Sequence, residues 1–223
     1  MNEPFGVWKS IYMVGSAELS HAYDCCVYLL DVGELVLVDS GAGGSFDKLV
    51  SNIRRLGFEP KKLKAILVTH AHIDHIGSLH QFREEFGVQV IAHELDAEAI
   101  EQGGGVGAEA YGVDYTPCHV DLRVRGSEES LQFGSHELRV IHIPGHTPGS
   151  IAAYLDMDNK RVLFGQDIHG PYYPQWGADP AQARPSLQKL IELKADILCE
   201  GHFGIYQPAA AVERYIQGYI DSL

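Results

Sequence analysis

A short polar segment at residues 69–77 holds the densest set of metal-ligand side chains in the chain. It reads Thr-His-Ala-His-Ile-Asp-His-Ile-Gly and directly follows the apolar run 65–68. Such a run, ending in a polar cluster, is typical of a buried strand that delivers its C-terminal end to a site. The ligand-type side chains of the segment are His70, His72, Asp74 and His75. In an extended chain the first two would point to one side, and the others follow as the chain turns into a helix.

These side-chain types indicate metal binding. Neutral imidazole and carboxylate groups suit a borderline divalent metal such as Zn²⁺, and the segment has no thiol that would make it a cysteine-type structural site. The alternative is a group of surface histidines, or a core histidine bonded to a carbonyl group. Four ligand-type side chains within six positions favour the metal site.

Three further ligand-type residues follow apolar, strand-like runs downstream. They are His146 in Ile-Pro-Gly-His-Thr-Pro-Gly, Asp167 in Leu-Phe-Gly-Gln-Asp, and His202 in Cys-Glu-Gly-His. The pattern His-x-His-x-Asp-His behind a strand, followed by these residues in this order, resembles the signature of the metallo-β-lactamase superfamily. The resemblance spans Val36 to about Tyr206. Strand and helix patterns alternate in both halves, which predicts a mixed α/β chain (α+β). The resemblance further implies a four-layer αββα sandwich, which we expect as a single domain over residues 1–223.

The resemblance also implies two divalent metal ions, with zinc as the expected metal and iron or manganese as alternatives. The first ion would be bound by His70, His72 and His146, the second by Asp74, His75 and His202, and Asp167 would bridge them. Three histidines leave a coordination position open to water, which is the mark of a catalytic zinc. A hydroxide between two such ions is a nucleophile near neutral pH, because coordination lowers the pKa of water from about 15.7 to about 7. Asp74 could accept the proton of the nucleophile.

Three positions indicate the branch of the superfamily. The best-known lactamases carry arginine where this chain has His75 and cysteine where it has Asp167, and flavodiiron proteins carry glutamate in place of His72. The full set of five histidines and two aspartates resembles glyoxalase II, the lactonases that open acyl-homoserine lactones, and related phosphodiesterases. It implies a zinc-dependent hydrolase that acts on a small acyl thioester or lactone through a metal-bridging hydroxide.

Other activities stay open on the same scaffold. Relatives that oxidise persulfides bind a single iron and generally do not use the second-metal ligands, all of which are present here. Phosphodiesterases share the ligand set, and those that process transfer RNA are disfavoured by the acidic charge and the lack of a basic arm. A metal-binding protein without catalysis has no feature in its favour.

Substrate choice depends on residues near the ligands. The segment after His202 is too short for the C-terminal helical domain with which glyoxalase II recognises glutathione, which disfavours a glutathione thioester. Lactonases place a tyrosine shortly after the bridging aspartate, and His169, Tyr172 and Tyr173 follow Asp167 here. Their side chains could donate a hydrogen bond to a developing oxyanion, or they could pack against the strand ends.

Two features of the first strands also bear on the site. Asp39 ends the apolar run 35–38 and stands where the family has an acidic residue beside the ligands. It either orients a ligand histidine or closes the strand with an Asx-turn. The adjacent Cys25 and Cys26 lie in an apolar strand and are expected to be small core residues. The four cysteines of the chain form no disulfide or zinc-ribbon pattern.

Composition narrows the class of partner. The chain has 223 residues, of which 45% are hydrophobic and 21% charged, and a net charge of −13. That charge argues against nucleic acid or an anionic membrane surface as partner. No signal peptide is visible, and no apolar stretch approaches the roughly 18 residues of a membrane helix. We therefore expect a soluble, cytoplasmic enzyme with a small-molecule substrate.

Hydrophobic periodicity predicts the elements that position these side chains. Strands are expected at 26–30, 35–38, 65–68, 88–91, 138–143, 151–155, 161–164 and 197–199. Helices are expected at 45–56, 76–86, 95–102 and 186–194, and at the C-terminus, where the apolar face comprises Val212, Tyr215, Ile216, Tyr219 and Ile220. The glycine-rich segment 103–107 cannot hold a regular element without a large entropy cost. It is interpreted as a surface connection, with a lid over the site as the alternative. This segment and the C-terminal helix could also cover a second copy, so a homodimer stays open.

Overall fold

The computed structural model describes residues 2–223 and, at Trp176, the backbone alone. The strands of the first half are β1 (Phe5–Trp8), β2 (Ile11–Gly15), β3 (Val27–Asp31), β4 (Leu35–Val38), β5 (Leu63–Leu67), β6 (Gln89–His93) and β7 (Leu122–Val124). Those of the second half are β8 (Glu128–Phe133), β9 (His136–His142), β10 (Ile151–Met157), β11 (Lys160–Phe164), β12 (Ile197–Cys199) and β13 (Ile205–Tyr206). The α-helices are α1 (Phe46–Arg55), α2 (Ile73–Ile76), α3 (Leu79–Phe86), α4 (Glu94–Gln102), α5 (Ala108–Tyr111), α6 (Pro180–Glu192) and α7 (Ala209–Ser222).

The strands form two sheets. The first has the order β1-β2-β3-β4-β5-β6-β7 and is antiparallel up to β4 and parallel from β4 to β7. The second has the order β13-β12-β11-β10-β9-β8, in which β11 and β12 are parallel and the other neighbours antiparallel. Because the carboxyl ends of parallel neighbours meet at one edge, the loops after β4 and β5 lie close together, as do those after β11 and β12.

Buried apolar side chains fill the spaces between the layers. The inner faces of both sheets share one cluster, in which Leu30 and Leu67 of the first sheet belong with Val140 and Phe164 of the second. The outer face of the first sheet packs against α1 to α5, and that of the second against α6 and α7. The mixed α/β class and the αββα sandwich implied by the resemblance are therefore confirmed.

Strand β5 shows why this sequence forms a buried strand. Ala65 and Leu67 belong to the cluster between the sheets, whereas Ile66 and the following Val68 belong to the cluster beneath the helices. A strand that is covered on both faces must be apolar at successive positions. The run predicted as a buried strand is confirmed, and it ends just before the first ligand-type histidine.

The helix predicted at 76–86 is wrong at its start, because the chain is divided there into α2 and α3. Gly77 lies against the loop after β4, where its N–H donates to the Gly41 carbonyl oxygen at 2.8 Å. A Cβ atom at position 77 would overlap the backbone of Ala42. Glycine at position 77 permits this close approach, because a larger residue would collide with the loop after β4.

The helix predicted at 186–194 also begins earlier in the structure. It starts at Pro180, where the side chain of Asp179 caps it by accepting a hydrogen bond from the Ala181 N–H at 2.9 Å. Aspartate at the N-cap followed by proline is a strong start signal. Pro185 lies inside the helix, where it removes an N–H donor and obscures the helical pattern.

The sequence does not predict β1, β2, β7, β8 or β13. All of these except β2 lie at the edges of the two sheets. Edge strands are partly exposed, so their apolar alternation is weak. Strand β2 is largely buried and pairs with β3, and its detection required the tertiary contact.

The glycine-rich segment 103–107 contains no helix or strand, as predicted, but it is attached to the site-bearing part of the chain. Val106 is buried, and its carbonyl oxygen accepts a hydrogen bond from the Ile73 N–H at 2.8 Å. The contact ties the segment to the first residue of α2. The interpretation as a plain surface connection is therefore incomplete, because the segment supports the helix that carries two ligand-type residues.

The apolar face of α7 is covered within the chain. Val212, Ile216 and Ile220 are buried in one cluster with Leu190 of α6. One of the two surfaces that favoured a homodimer is thus used internally, and the homodimer stays a prediction. Among residues 2–223, no helix is long and apolar enough to cross a membrane.

Candidate metal centre

The seven ligand-type residues predicted from the sequence meet in two adjoining clusters. His70 and His72 follow β5, Asp74 and His75 lie in α2, and His146, Asp167 and His202 follow β9, β11 and β12. Both sheets therefore contribute to the centre. The short loops at their strand ends bring together residues that are distant in the sequence.

The first cluster consists of His70, His72 and His146, whose ligand atoms lie within 4.8 Å of one another. His70 Nε2 lies 3.1 Å from His72 Nδ1, and the ring centroid of His146 lies 4.6 Å from each of the other two. His146 Nδ1 lies 3.2 Å from the Pro171 carbonyl oxygen. Its Nε2 is buried and has no hydrogen-bond partner among the described residues. A buried nitrogen without a partner is costly, and a cation in this cluster would satisfy it.

The second cluster consists of Asp74, His75, Asp167 and His202. His202 Nε2 lies 3.1 Å from Asp74 Oδ2 and 3.4 Å from His75 Nε2. The side chain of His202 is 24% exposed, whereas the other three are buried. This cluster therefore opens to solvent on the His202 side.

Asp167 joins the two clusters. Its Oδ2 lies 3.4 Å from His146 Nε2 and 3.3 Å from His202 Nε2, while its Oδ1 lies 3.3 Å from His75 Nε2. One carboxylate thus faces ligand nitrogens of both clusters. Imidazole and carboxylate groups in this arrangement fit two divalent cations of the zinc type.

The three-histidine cluster is ready to bind a cation near neutral pH. Burial lowers the pKa of His146 to about 3. It also lowers the pKa of His70 and His72. Because only the neutral imidazole can bind a metal, these rings need lose no proton at pH 7.

The second cluster differs from the first in its protonation, because it contains two carboxylates. Burial disfavours the charged form of His202, but Asp167 and Asp74 outweigh burial and raise the pKa of His202 to about 10. The neighbouring carboxylates also raise the pKa of His75, again against the effect of burial. Burial likewise opposes the charged forms of Asp74 and Asp167, yet the two histidines lower the pKa of both carboxyl groups. Without a metal, this cluster holds protons that a cation must displace.

We therefore expect the two clusters to differ in proton release when metal binds. Metal that enters the second cluster displaces a proton from His202 at pH values below about 10, so affinity there should rise with pH through the neutral range. Calorimetric titration of metal-free protein with Zn²⁺ at pH 7, in two buffers of different ionisation enthalpy, counts these protons. In His202→Ala, which keeps only the three-histidine cluster, the count should fall by at least one. An unchanged count would contradict the assignment.

Asp39 orients one of the ligand histidines. Its Oδ2 lies 2.8 Å from His75 Nδ1, and its two oxygens accept hydrogen bonds from the N–H and hydroxyl of Thr69, each at 2.8 Å. With Nδ1 engaged in this way, His75 presents Nε2 to the second cluster. Of the two interpretations of Asp39, the structure supports the carboxylate that fixes a ligand ring. The Thr69 hydroxyl also lies 3.2 Å from His70 Nδ1, so Asp39 is linked through Thr69 to a histidine of the first cluster.

Cys25 and Cys26 are buried and free, as predicted for small core residues. The ligand atoms of Cys25, Asp39 and His75 lie within 4.8 Å of one another. Burial raises the pKa of the Cys25 thiol well above its usual value. The thiol therefore stays neutral near His75, which already contacts Asp39 through Nδ1.

The loop after Asp167 lies beside the centre, but its side chains are used in different ways. His169 Nδ1 lies 2.9 Å from Glu200 Oε1, and its ring is 5.1 Å from that of His202. The Tyr172 hydroxyl donates to the Ile168 carbonyl oxygen at 2.9 Å, while its ring centroid lies 6.0 Å from that of His146. The one hydroxyl hydrogen of Tyr172 is thus engaged with the backbone, and its use as an oxyanion donor stays a prediction. The side chain of Tyr173 is 49% exposed.

The sequence analysis missed three residues near the centre. Asp96 and Glu200 are buried carboxylates that accept hydrogen bonds from backbone N–H groups beside the ligands. At Tyr111, burial and then the charge of the nearby Asp74 raise the pKa of the hydroxyl. The ring of Tyr111 also meets that of Tyr23 edge-on at 5.3 Å. Of these three residues, only Glu200 could have been found from the sequence, because it directly follows the apolar run 197–199 and precedes Gly201 and His202.

Gly201 leaves no room for a side chain beside Asp167. A Cβ atom there would overlap Asp167 Oδ1. We expect Gly201→Ala to displace this carboxylate and to lower kcat/KM by about 100-fold, the cost of a misplacement of about 1 Å. The matched control is Gly104→Ala, because a Cβ at Gly104 would meet no atom within 4 Å. Steady-state rates and metal content of the two variants test this, and equal effects would contradict it.

The chain matches a known protein family over most of its length. The model of the metallo-beta-lactamase superfamily matches residues 23–202, a stretch that contains all seven ligand-type residues. The chain is 33% identical over 142 residues to the probable metallo-hydrolase YqgX of Bacillus subtilis, which covers 62% of this chain and 63% of that protein. It is 27% identical over 190 residues to the hydroxyacylglutathione hydrolase GloC of Haemophilus influenzae, and the aligned stretch covers 82% of this chain and 86% of that protein.

Solved structures share the fold. A metallo-beta-lactamase of Cronobacter sakazakii matches with a TM-score of 0.85 and 22% identity, over 99% of this chain and 92% of that chain. The metallo-beta-lactamase BJP-1 of Bradyrhizobium japonicum matches with a TM-score of 0.80 and 25% identity, over 100% of this chain and 90% of that chain. Since the family match also includes every residue of the two clusters, the chain belongs to the metallo-beta-lactamase superfamily.

Proposed function

We propose that this chain is a dinuclear metal-dependent hydrolase of a small acyl thioester or lactone, with zinc as the metal. The observation that carries the proposal is the position of Asp167 Oδ2, which lies within 3.4 Å of a ligand nitrogen of each cluster. A carboxylate shared in this way would hold two cations near each other. His146 Nε2 is buried and makes no hydrogen bond to a described residue, which further supports a cation in the first cluster.

Each of the ligand-type residues would have a defined role in such a site. The first ion would be held by His70, His72 and His146, the second by Asp74, His75 and His202, and both by Asp167. When bound, the two ions would polarise the acyl carbonyl and make a coordinated water nucleophilic near neutral pH. Asp74 stays a carboxylate despite its burial, because His75 and His202 lower its pKa, and it would accept a proton or hydrogen bond from the attacking water. His169, whose ring centroid lies 5.1 Å from that of His202, flanks the open side, where a leaving group would depart.

Three findings support the thioester and lactone class over the alternatives. A relative named hydroxyacylglutathione hydrolase is 27% identical over most of this chain. The structures named as β-lactamases are distant, and the Cronobacter likeness at 22% identity concerns the fold alone. A single-iron persulfide dioxygenase would need only the first cluster and the aspartate, whereas the ligand atoms of the second cluster also lie within 4.8 Å of one another. Phosphodiester hydrolysis is the remaining alternative on the same ligand set.

A substrate panel on metal-reconstituted protein tests the function. It comprises an acyl thioester, a lactone, a phosphodiester, a β-lactam and a persulfide, each with a chelator-treated control. We expect hydrolysis of the thioester or the lactone and its loss on chelation. Phosphodiester cleavage without acyl cleavage would contradict the acyl substrate class, and oxygen uptake with persulfide and one iron would support the dioxygenase.

The Tyr172 contact gives a second test within this loop. Because its hydroxyl donates to the Ile168 carbonyl oxygen, Tyr172→Phe should lower kcat/KM far less than the roughly 100-fold cost of losing an oxyanion donor. Tyr173→Phe is the matched comparison, since Tyr173 lies one residue further along the same loop. Steady-state kinetics on the best panel substrate decides. A 100-fold loss in Tyr172→Phe would support its predicted role as an oxyanion donor.

A further inference from the structure

A buried carboxylate outside the seven ligand-type residues ties together the backbone of the three-histidine cluster. Asp96 lies in α4 and is 3% exposed. Its Oδ2 accepts hydrogen bonds from the Ala71 N–H at 2.9 Å and the Thr147 hydroxyl at 2.7 Å, and its Oδ1 accepts one from the Gly149 N–H at 2.7 Å. All three donors belong to ligand-bearing loops.

The positions of these donors connect the two sheets. Ala71 stands between His70 and His72 in the loop after β5 of the first sheet, whereas Thr147 directly follows His146 in the loop after β9 of the second. The three-histidine cluster exists only if these two loops keep a set separation. Asp96 is bonded to both, so its carboxylate spans the gap over which the three rings must converge.

The fit around Asp96 is tight. A Cβ atom at Gly149 would lie 2.6 Å from Asp96 Oδ1, so glycine is required for this approach. A carboxylate that accepts several N–H and O–H donors at short distance forms strong, directional bonds. Such a contact resists displacement of either loop.

The second cluster has a separate carboxylate of the same kind. Glu200 is fully buried, and its Oε2 accepts hydrogen bonds from the N–H groups of His202 at 2.7 Å and Phe203 at 2.8 Å. Its Oε1 lies 2.9 Å from His169 Nδ1. These contacts hold the loop of His202, just as those of Asp96 hold the loops of the first cluster.

We propose that Asp96 is a positioning residue for the three-histidine metal site alone, with Glu200 as its counterpart at the second site. The inference rests on the proposed metal centre. Partners that orient metal ligands typically change metal affinity by about 10- to 100-fold when they are lost. A residue that merely stabilises the fold would instead weaken both sites together, so selectivity for one site is the distinguishing property.

Single-site variants make this selectivity measurable. The His202→Ala protein retains only the three-histidine site, and the His72→Ala protein retains only the second site. Each protein is freed of metal and titrated with Zn²⁺ against a competing chelator. Adding Asp96→Asn should weaken Zn²⁺ binding by about 10- to 100-fold in the His202→Ala protein and by less than about threefold in the His72→Ala protein. Adding Glu200→Gln should give the reverse pattern.

Thr147 supplies a milder pair of variants in case Asp96→Asn does not fold. Thr147→Val removes the hydroxyl that donates to Asp96 at nearly constant volume, and Thr147→Ser keeps it. In the His202→Ala protein, valine should weaken Zn²⁺ binding and serine should preserve it. Equal weakening of both sites by Asp96→Asn, or no weakening of the three-histidine site by either Asp96→Asn or Thr147→Val, would overturn the inference. Failure of the parent protein to bind two equivalents would instead overturn the dinuclear proposal, because the His202→Ala measurement requires only one site.

Discussion

Replacing Asp167 by alanine is expected to lower kcat/KM for the acyl substrate by well over 100-fold. Loss of a group that only orients a metal ligand already costs up to about 100-fold. Asp167 Oδ2 lies 3.4 Å from His146 Nε2 and 3.3 Å from His202 Nε2, so its removal takes a ligand from both proposed metal sites at once. It also leaves His75 and His202 with one carboxylate fewer nearby. Steady-state kinetics on zinc-reconstituted protein, with metal content measured on the same sample, checks the prediction.

The matched control for this variant is Asp156→Ala. Asp156 lies in β10, its side chain is 64% exposed, and it pairs with Arg161 at 2.8 Å. An exposed ion pair of this kind contributes about 0–1 kcal/mol to the free energy of unfolding, so the control should keep its activity. A tenfold or smaller loss in Asp167→Ala, at full metal content, would contradict the bridging role.

The second large effect concerns the metal itself. We expect the protein to bind about two equivalents of divalent metal, one for each cluster, and to lose its activity when a chelator removes them. Activity should return with added zinc and reach its maximum near two equivalents. His202→Ala should bind about one equivalent and retain little activity, because the second cluster loses the ligand that lies 3.1 Å from Asp74. Elemental analysis and activity measured along a zinc titration check both statements.

His119→Ala is the control for that variant. His119 is an exposed histidine paired with Glu101, and it belongs to neither cluster. Its replacement should leave two equivalents of metal and the parent activity. One equivalent of metal in the parent protein, with no change in His202→Ala, would exclude the dinuclear centre.

Much of the metal centre was predictable because its first four ligands are local in sequence. His70, His72, Asp74 and His75 follow one apolar strand, and the geometry of a strand that turns into a helix brings them to the same end. The family resemblance supplied the remaining three ligands, since each follows a strand-like run of its own. Periodicity predicted the mixed α/β class, because buried strands and amphipathic helices leave a periodic pattern in the sequence, whereas the αββα layers were implied by the family resemblance.

Features that depend on close approach between distant segments were not predictable. The chain between α2 and α3 passes so close to the loop after β4 that a Cβ atom at Gly77 would overlap the backbone of Ala42, and periodicity carries no information on such a contact. The edge strands were missed because partial exposure weakens their alternation. For Tyr172 the sequence left an oxyanion donor and a packing residue both open, and the bond of its hydroxyl to the Ile168 carbonyl oxygen depends on the loop conformation.

The sequence by itself determined the chemistry that is available: five imidazoles, two carboxylates and the strands that carry them. The tertiary structure decided how these groups are held, through Asp39 on His75, Glu200 on the loop of His202 and Asp96 across the two sheets. The physical reason is that ligand type and strand pattern are properties of neighbouring residues. A hydrogen bond from Thr147 to Asp96 depends instead on the packing of two sheets against one another, which no local pattern records.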